Sequence, residues 1–415
     1  MSKKNVLIIS NTFPPQEDVG GLRPAMFSKY LPSFGWRPIV LTRTFPKNDL
    51  KFKPLLNGIT GLPPSKHIIC VEMPSGSEAE CGCGFLSKVK RFLKPEYGQT
   101  GILIEKMVEQ FLQSEHSRNI AVIYATSPNL GQISTGVKLS SILKVPLIVD
   151  FRDIVEQDEH KGFRNRILLA RHIIRRRFLT RHAFRAIAVS QQQKKILSRR
   201  LSVPVSVILN GYDEDIFKPS ASVVSEVFTI NYVGRIIEKS LRNPDVFFQA
   251  LDLLLNGRDI DFNQVEVNFI GSEKDLVESM LENYACKSMV NIKARIDYDR
   301  VPKIIASSGI NLVLTNKGRT GVLTTKFFEY LAVKKPILCV PNDNGSLDEI
   351  ISNTKCGLSS SSPVEVAQYI KDIYCRWKDN EGRTAHCESI LSGDYSRRGG
   401  AEKLAELLDS SCKID

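Results

Sequence analysis

At 415 residues and 42% hydrophobic content the chain can bury two ordinary cores, so its length predicts two domains. No apolar run reaches about 18 residues, which excludes a membrane-spanning helix. The net charge of +12 is uneven: residues 1–200 hold 32 Lys and Arg against 15 Asp and Glu, and residues 201–415 hold 25 against 30. The N-terminal half is therefore expected to meet something anionic, whether a membrane, a nucleic acid or an acidic substrate.

Nine cysteines, at 70, 81, 83, 286, 339, 356, 375, 387 and 412, form an odd and unspaced set. That argues for reduced thiols in the cytosol. Cys81-Gly82-Cys83 has no second Cys/His pair to complete a zinc site, so it reads as a loop. Met1–Lys4 runs straight into the apolar Val6–Ser10, too short a start for a signal peptide.

Val6–Ser10 reads as a buried strand, Asn11–Leu22 as a loop holding Gly20-Gly21, Arg23–Ser33 as a helix and Pro38–Thr42 as a second strand. This order predicts an α/β doubly wound sheet, whose ligands sit at the carboxyl ends of strands, where Gly20-Gly21 falls. The two glycines are adjacent and late, unlike the G-x-G-x-x-G of dinucleotide oxidoreductases. A plain surface turn is the alternative.

Residues 47–100 read as irregular except Gly84–Pro95. There Phe85, Leu86, Val89, Phe92 and Leu93 share one helical face, with Lys88, Lys90, Arg91 and Lys94 on the other. Such a helix can lie in a membrane interface or pack on its own domain. Ile102–Leu112 and Val137–Leu143 read as helices, and Ala121–Ala125 and Pro146–Val149 as strands. The last strand delivers Asp150, Arg152 and Asp153 to a carboxyl end, making them catalytic candidates.

Phe163–Ala186 carries eight arginines, at 164, 166, 171, 175, 176, 177, 181 and 185, among Ile167, Leu168, Ile173, Ile174 and Phe178. Arg171, Arg175 and Arg176 are thus expected to face a membrane, with about 1 kcal/mol per basic residue near an anionic surface. Nucleic acid is disfavoured, because no recognised module and no interleaved stacking aromatics appear.

Asn210-Gly211-Tyr212 makes a natural junction. Asp213-Glu214-Asp215 beside it reads as a solvated linker rather than a D-x-D metal motif. From Thr229 the pattern restarts: strand Thr229–Val233, loop Gly234-Arg235, helix Pro244–Leu255, strand Val265–Ile270 with Gly271, helix Lys274–Tyr284 and strand Val290–Ala294 with Arg295 and Ile296 behind it. Helix Val301–Ser307 and strand Ile310–Leu314 come next. The expected domains are 1–208 and 209–393, with 394–415 a helix docking back.

Gly318–Ile351 is the densest stretch. Thr324 and Thr325 are expected to cap a helix whose start, with Lys326, suits a phosphate. Glu329, one turn on, could fix a ribose by its hydroxyls. An ordinary capped core helix is the plain alternative.

With NTFPPQEDVGGLRPAMFSKYLPSFGWRPIVLT, ILNGYDEDIF, YVGR at 232–235, FIGS at 269–272 and KFFEYLAVKKPIL at 326–338, the chain resembles retaining GT-B glycosyltransferases of family 4. The resemblance implies two doubly wound Rossmann-like domains facing across a cleft. It implies the acceptor on the N-terminal domain and a nucleotide sugar on the C-terminal one. It places Arg235 as the diphosphate-binding arginine, with Lys239 near the partner lysine but one position closer than usual. Glu329 matches the second glutamate of E-x7-E, and Gly20 and Gly21 the loop near the donor phosphates. Gly234, Gly271, Arg295, Ile296, Thr324, Thr325 and Lys326 complete the donor-side set.

Two departures stand out: the first glutamate of E-x7-E falls at Gly321, and the cleft histidine's place is taken by Arg152. The resemblance implies a glycosyltransferase; because Arg235, Lys326 and the helix start at Thr324-Thr325 can serve the diphosphate, no metal or cofactor is expected, and the basic N-terminal half places the enzyme at the cytoplasmic face of a membrane. Such an enzyme passes a sugar from a nucleotide sugar, a UDP-sugar by expectation, to a lipid-linked or oligosaccharide acceptor in surface-polysaccharide synthesis. Asp150, Asp153 or the donor's own phosphate could take the acceptor's proton. A UDP-sugar 2-epimerase of the same fold and a silent, scaffold-like relative are the alternatives.

Overall fold

A computed structural model describes residues 3–14, 19–44, 60–72, 99–127, 130–157, 163–219, 224–236, 238, 241–315, 322–384, 386–387 and 393–413. These residues form two compact units. The first runs up to Val189 and takes in Gln193–Leu209 and the chain from Arg398 on; the second comprises Asn210–Arg397 with Ser190–Gln192.

The first unit is laid down as β1 (Lys4–Ile9), α1 (Leu22–Tyr30), β2 (Trp36–Thr44), β3 (Ile68–Glu72), α2 (Gln99–Gln113), β4 (Ile120–Ser127), α3 (Leu130–Leu143), β5 (Leu147–Phe151), α4 (Phe163–Thr180), β6 (Arg185–Ala188), α5 (Gln191–Ser198) and β7 (Val205–Val207). All seven strands are parallel, in the order β3-β2-β1-β4-β5-β6-β7. Central strands are apolar on both sides because helices cover both faces of such a sheet. Val6, Leu7, Ile8 and Ile9 accordingly have no exposed surface. The edge strand β3 arises inside the 47–100 segment expected to be irregular; its apolar run Ile68–Val71 is a strand signal that the surrounding Pro, Gly and Ser residues obscure.

The second unit is built from β8 (Phe228–Val233), α6 (Asp245–Gly257), β9 (Val265–Ile270), α7 (Lys274–Leu281), β10 (Val290–Lys293), α8 (Val301–Ser307), β11 (Ile310–Leu314), α9 (Thr325–Ala332), β12 (Ile337–Val340), α10 (Ser346–Thr354), β13 (Gly357–Ser359) and α11 (Pro363–Asp379). Its sheet is parallel in the order β10-β9-β8-β11-β12-β13. Both orders reverse beside the first strand of their unit, between β1 and β4 and between β8 and β11. Open α/β sheets bind ligands at such points. Phe228, Phe247, Phe248, Phe269 and Trp377 anchor the core on one face of the second sheet. At the start of α11, Ser362 accepts from the Glu365 amide and Pro363 takes the first turn, a start encoded in sequence.

The last helix, α12 (Arg397–Ser411), rejoins the first unit. Ala401, Leu404, Ala405 and Leu408 pack into the cluster around Val6, Ile8 and Phe27. Asp213 is not the solvated residue expected: it is 2% exposed, and its carboxylate accepts from the Asp215 amide at 3.0 Å.

Candidate functional site

The second unit gathers its candidates where β8 and β9 end and α9 begins. Gly234 directly follows β8, and its amide donates to the Ile270 carbonyl at 2.8 Å. Ser272 Oγ donates to the Gly234 carbonyl at 2.7 Å. Gly271 lies in the left-handed region at φ +84°, and its amide reaches the Lys293 carbonyl, which brings the backbone of Arg295 alongside.

Lys326 leans onto this floor from the first turn of α9. A Cβ built on Gly234 would fall 1.4 Å from Lys326 Nζ, and the residue holds φ +148°. Only glycine lets the ammonium come so close. Gly234→Ala is expected to displace Lys326 and destabilise the second unit by about 1–3 kcal/mol, read as a lower denaturant midpoint. The ammonium stacks 4.7 Å above the Tyr232 ring and lies 3.5 Å from its hydroxyl. Arg242 donates to that hydroxyl at 3.1 Å and to the Arg235 carbonyl at 2.9 Å. The space these groups line, with Thr324 and Tyr330, is ≈ 10 Å³, about one water's worth.

Burial and the neighbouring Arg242 charge pull the Lys326 ammonium down to about 7, against the opposing effect of Glu329. Burial raises the Glu329 carboxyl, while Tyr298, Arg397 and Lys326 hold it back. The Tyr298 hydroxyl donates to Glu329 Oε1 at 2.9 Å. Thr324 occupies the N-cap position with extended backbone, but no side chain caps the helix. The expected threonine cap is absent. The first-turn amides of α9 beside Lys326 are therefore available to an anion.

Arg235 reaches outward, and its guanidinium meets Glu273 Oε1 through Nε at 3.0 Å and through a terminal nitrogen at 2.8 Å. Arg235 and Lys326 thus flank the same glycine. Arg295 is exposed, and Ile296 lines a separate cavity on the sheet face. Lys239 and Gly321 lie outside the described residues.

In the first unit the structure separates residues that the sequence placed together. Asp150 is wholly buried, and its carboxylate takes both oxygens to Arg23, at 2.9 and 3.0 Å. Tyr124 and Thr126 hydroxyls donate to its Oδ2 at 2.6 and 2.9 Å. Burial lowers the Arg23 pKa, and Asp150 and Tyr124 together more than reverse it, leaving the guanidinium above its ordinary value. Arg23 also donates to the Ile208 and Leu209 carbonyls, both at 2.9 Å. A carboxylate with four donors, out of solvent, is built to hold α1 on the sheet rather than to accept a substrate's proton. Its ion-pair partner is Arg23.

Arg152 instead donates to the Gly20 carbonyl, which ties the glycine turn Val19–Gly21 to the end of β5. Asp153 is exposed. Tyr232, Arg242, Tyr298 and Glu273 were absent from the sequence-derived set. Arg242 is seven residues after Arg235, but nothing local marks it.

On α4 the charges sort into two groups. Arg176 is 1% exposed, forks onto Glu156 and lies over the Phe151 ring, so it does not face a membrane. Arg171 and Arg175 are half-buried. Lys88, Lys90, Arg91 and Lys94 lie outside the described residues. Ile167, Leu168, Ile174 and Phe178 are exposed, the last two by 68% and 59%. No helix among the described residues is long and apolar enough to cross a membrane.

Residues 213–385 match the family model described as glycosyl transferases group 1. No curated protein matches the sequence. Among solved structures, Anabaena HepE in complex with UDP and glucose is similar over 98% of this chain and 100% of its own, at 18% identity and TM-score 0.62. Sucrose-phosphate synthase from Thermosynechococcus elongatus is similar over 99% and 96%, at 15% identity and TM-score 0.60. A putative UDP-N-acetylglucosamine 2-epimerase from Listeria monocytogenes is similar over 97% and 95%, at 10% identity and TM-score 0.55. These likenesses show the fold of two Rossmann-like domains, and the family match supports a glycosyltransferase built on it.

Proposed function

We propose that the chain is a retaining glycosyltransferase that moves a hexosyl or N-acetylhexosaminyl group from a UDP-sugar to a lipid-linked glycan in surface-polysaccharide synthesis. One observation carries the reading. Lys326, seated on Gly234 with Arg242 close by and at the uncapped start of α9, gathers anion-binding groups at the switch point of the domain that matches group 1 glycosyl transferases, and Arg235 follows the same glycine. Transfer from a nucleotide sugar leaves negative charge on the departing diphosphate, and preorganised donors there lower the barrier. Arg235, Lys326 and the α9 amides are those donors in this reading. Glu329 would hold the ribose by accepting from its hydroxyls, and Arg152 would set the Gly20–Gly21 turn.

Mixing the protein with UDP-sugars and a membrane extract, and following radiolabelled sugar, tests it. Label in the lipid fraction is the expected result. An epimerised UDP-sugar without lipid product would assign the chain to the epimerase alternative, and no turnover with any UDP-sugar to the silent one.

The membrane partner rests on α4. Ile167, Arg171, Ile174 and Phe178 keep to the helical repeat of three and four residues, and Arg181 stacks 4.1 Å from the Phe178 ring centroid. An apolar stripe flanked by arginines suits an anionic bilayer surface. Ile174→Asp with Phe178→Asp is expected to cut co-flotation with phosphatidylglycerol vesicles at least about tenfold, from two lost apolar anchors of about 1.5–3 kcal/mol each. Unchanged flotation would remove α4 from the membrane contact.

A further inference from the structure

The second sheet has a polar band on the face opposite its aromatic core. Phe228, Ile230 and Tyr232 of β8 and Val267 and Phe269 of β9 point into that core. Strand alternation therefore sends Thr229, Asn231, Glu266 and Asn268 to the other face. There they form the floor of a cavity of ≈ 300 Å³ beside the seven-residue α8. Ile270, Ile296 and Ile304 supply its apolar side. None of Gly234, Arg235, Thr324 and Lys326 lines it.

Parallel pairing sets Asn311 opposite Asn231, Asn231 opposite Asn268, and Asn268 opposite Asn291. Four asparagines thus make one rung across β11, β8, β9 and β10. Asn311, Asn231 and Asn268 are at most 4% exposed, and Asn291 at the sheet edge is exposed.

Hydrogen bonds along this rung have a direction. Ser308 Oγ spends its one proton on the Ile304 carbonyl at 2.9 Å, so toward Asn231 it can only accept, from Nδ2 at 2.7 Å. That orients the Asn231 amide and makes its Oδ1 the acceptor for Asn268 Nδ2, at 2.9 Å. The run ends on Asn268 Oδ1, which is buried and has no donor. A buried carbonyl oxygen without a donor is unfavourable, so a ligand that brings it a hydrogen is favoured.

Three features define the ligand. It must donate, because the rung terminates in an acceptor and Glu266 is another. It is neutral overall, because Glu266 lies 3.7 Å from Lys293 and the two charges offset each other. It carries both a polar edge and a C–H face, because amides and carboxylate line one side and three isoleucines the other. The volume matches the small end of ligand sites and exceeds what one or two waters fill.

We propose that this cavity binds a neutral polyhydroxylated molecule of monosaccharide size, with one hydroxyl donating to Asn268 Oδ1 and a C–H face on Ile270, Ile296 and Ile304. The site is separate from the diphosphate site and stands whether or not that reading holds. Ile296, assigned to the donor from sequence, belongs to this wall.

Saturation-transfer NMR on the full chain, with glucose, galactose, mannose and N-acetylglucosamine, with and without saturating UDP, tests it. At least one of these sugars is expected to give transfer that UDP does not remove. Asn268→Leu, which deletes the acceptor at similar volume, is expected to weaken binding at least tenfold. Ser307→Trp, which fills the cavity from α8 and leaves the rung in place, is expected to do the same if Asn268→Leu does not fold. No transfer from any of the four sugars, complete displacement by UDP, or equal binding in wild type and Ser307→Trp would overturn the proposal.

Discussion

Lys326→Met is expected to lower sugar-transfer turnover about 100- to 1000-fold, the usual cost of losing one preorganised donor to a charge that develops in the transition state. Methionine keeps most of the apolar stem over Tyr232 and removes the ammonium. The fold should therefore persist, and denaturant midpoints of variant and wild type should agree or favour the variant. Arg235→Ala removes the partner cation from an exposed position, 64% accessible, and should slow turnover by a similar factor without destabilisation. Wild-type rates in either variant would take that residue out of the diphosphate site.

The same lysine sets a pH signature. Arg242, Tyr232, Tyr330 and Glu329 surround it, and with no ligand its pKa is held near 7 rather than at the ordinary 10.5. Between those values the unfolded chain carries the proton and the folded chain does not, so this residue makes stability rise with pH from about 7 upward. A bound diphosphate favours the charged form and raises the pKa again. Binding of UDP near pH 8 should therefore take up a proton. Calorimetry in buffers of different ionisation enthalpy would read that uptake, and Lys326→Met should abolish it.

Arg23→Met is expected to destabilise the first unit by about 3–5 kcal/mol, because it strands the Asp150 carboxylate out of water. Tyr124 and Thr126 still donate to that carboxylate but bring no counter-charge. Adding Asp150→Asn to Arg23→Met should recover part of the loss. A loss below about 1 kcal/mol at pH 7, against the size expected for breaking a buried pair, would mean that solvent reaches Asp150.

Most of the strand framework can be read from sequence because central parallel strands are buried on both faces and leave apolar runs, as in Val6–Ile9 and Val122–Ala125. The glycines at strand ends are legible from position: Gly234 and Gly271 come directly after β8 and β9, whose alternating apolar residues mark a half-buried strand. Edge strand β3 is harder to read, because its short apolar run Ile68–Val71 sits inside a segment rich in Pro, Gly and Ser. The Arg23–Asp150 pair is not legible, since its members lie 127 positions apart with no period linking them. The arginines of α4 look alike in sequence, yet Arg176 turns inward to Glu156 while its neighbours stay at the surface. Partners brought by the fold decide a charge's role, and those partners are long-range. The Asn268 rung has the same origin, because strand register alone aligns four asparagines from four separate segments.

Thermal unfolding of the full chain with increasing UDP probes the diphosphate site at Lys326 without assuming a sugar or an acceptor, since ligand at 100 times its dissociation constant adds about 2.7 kcal/mol. The midpoint is expected to climb with UDP in wild type and to stay flat, or nearly so, in Lys326→Met. A wild-type midpoint unmoved by UDP and by every other nucleoside diphosphate, or an equal climb in Lys326→Met, would contradict such a site.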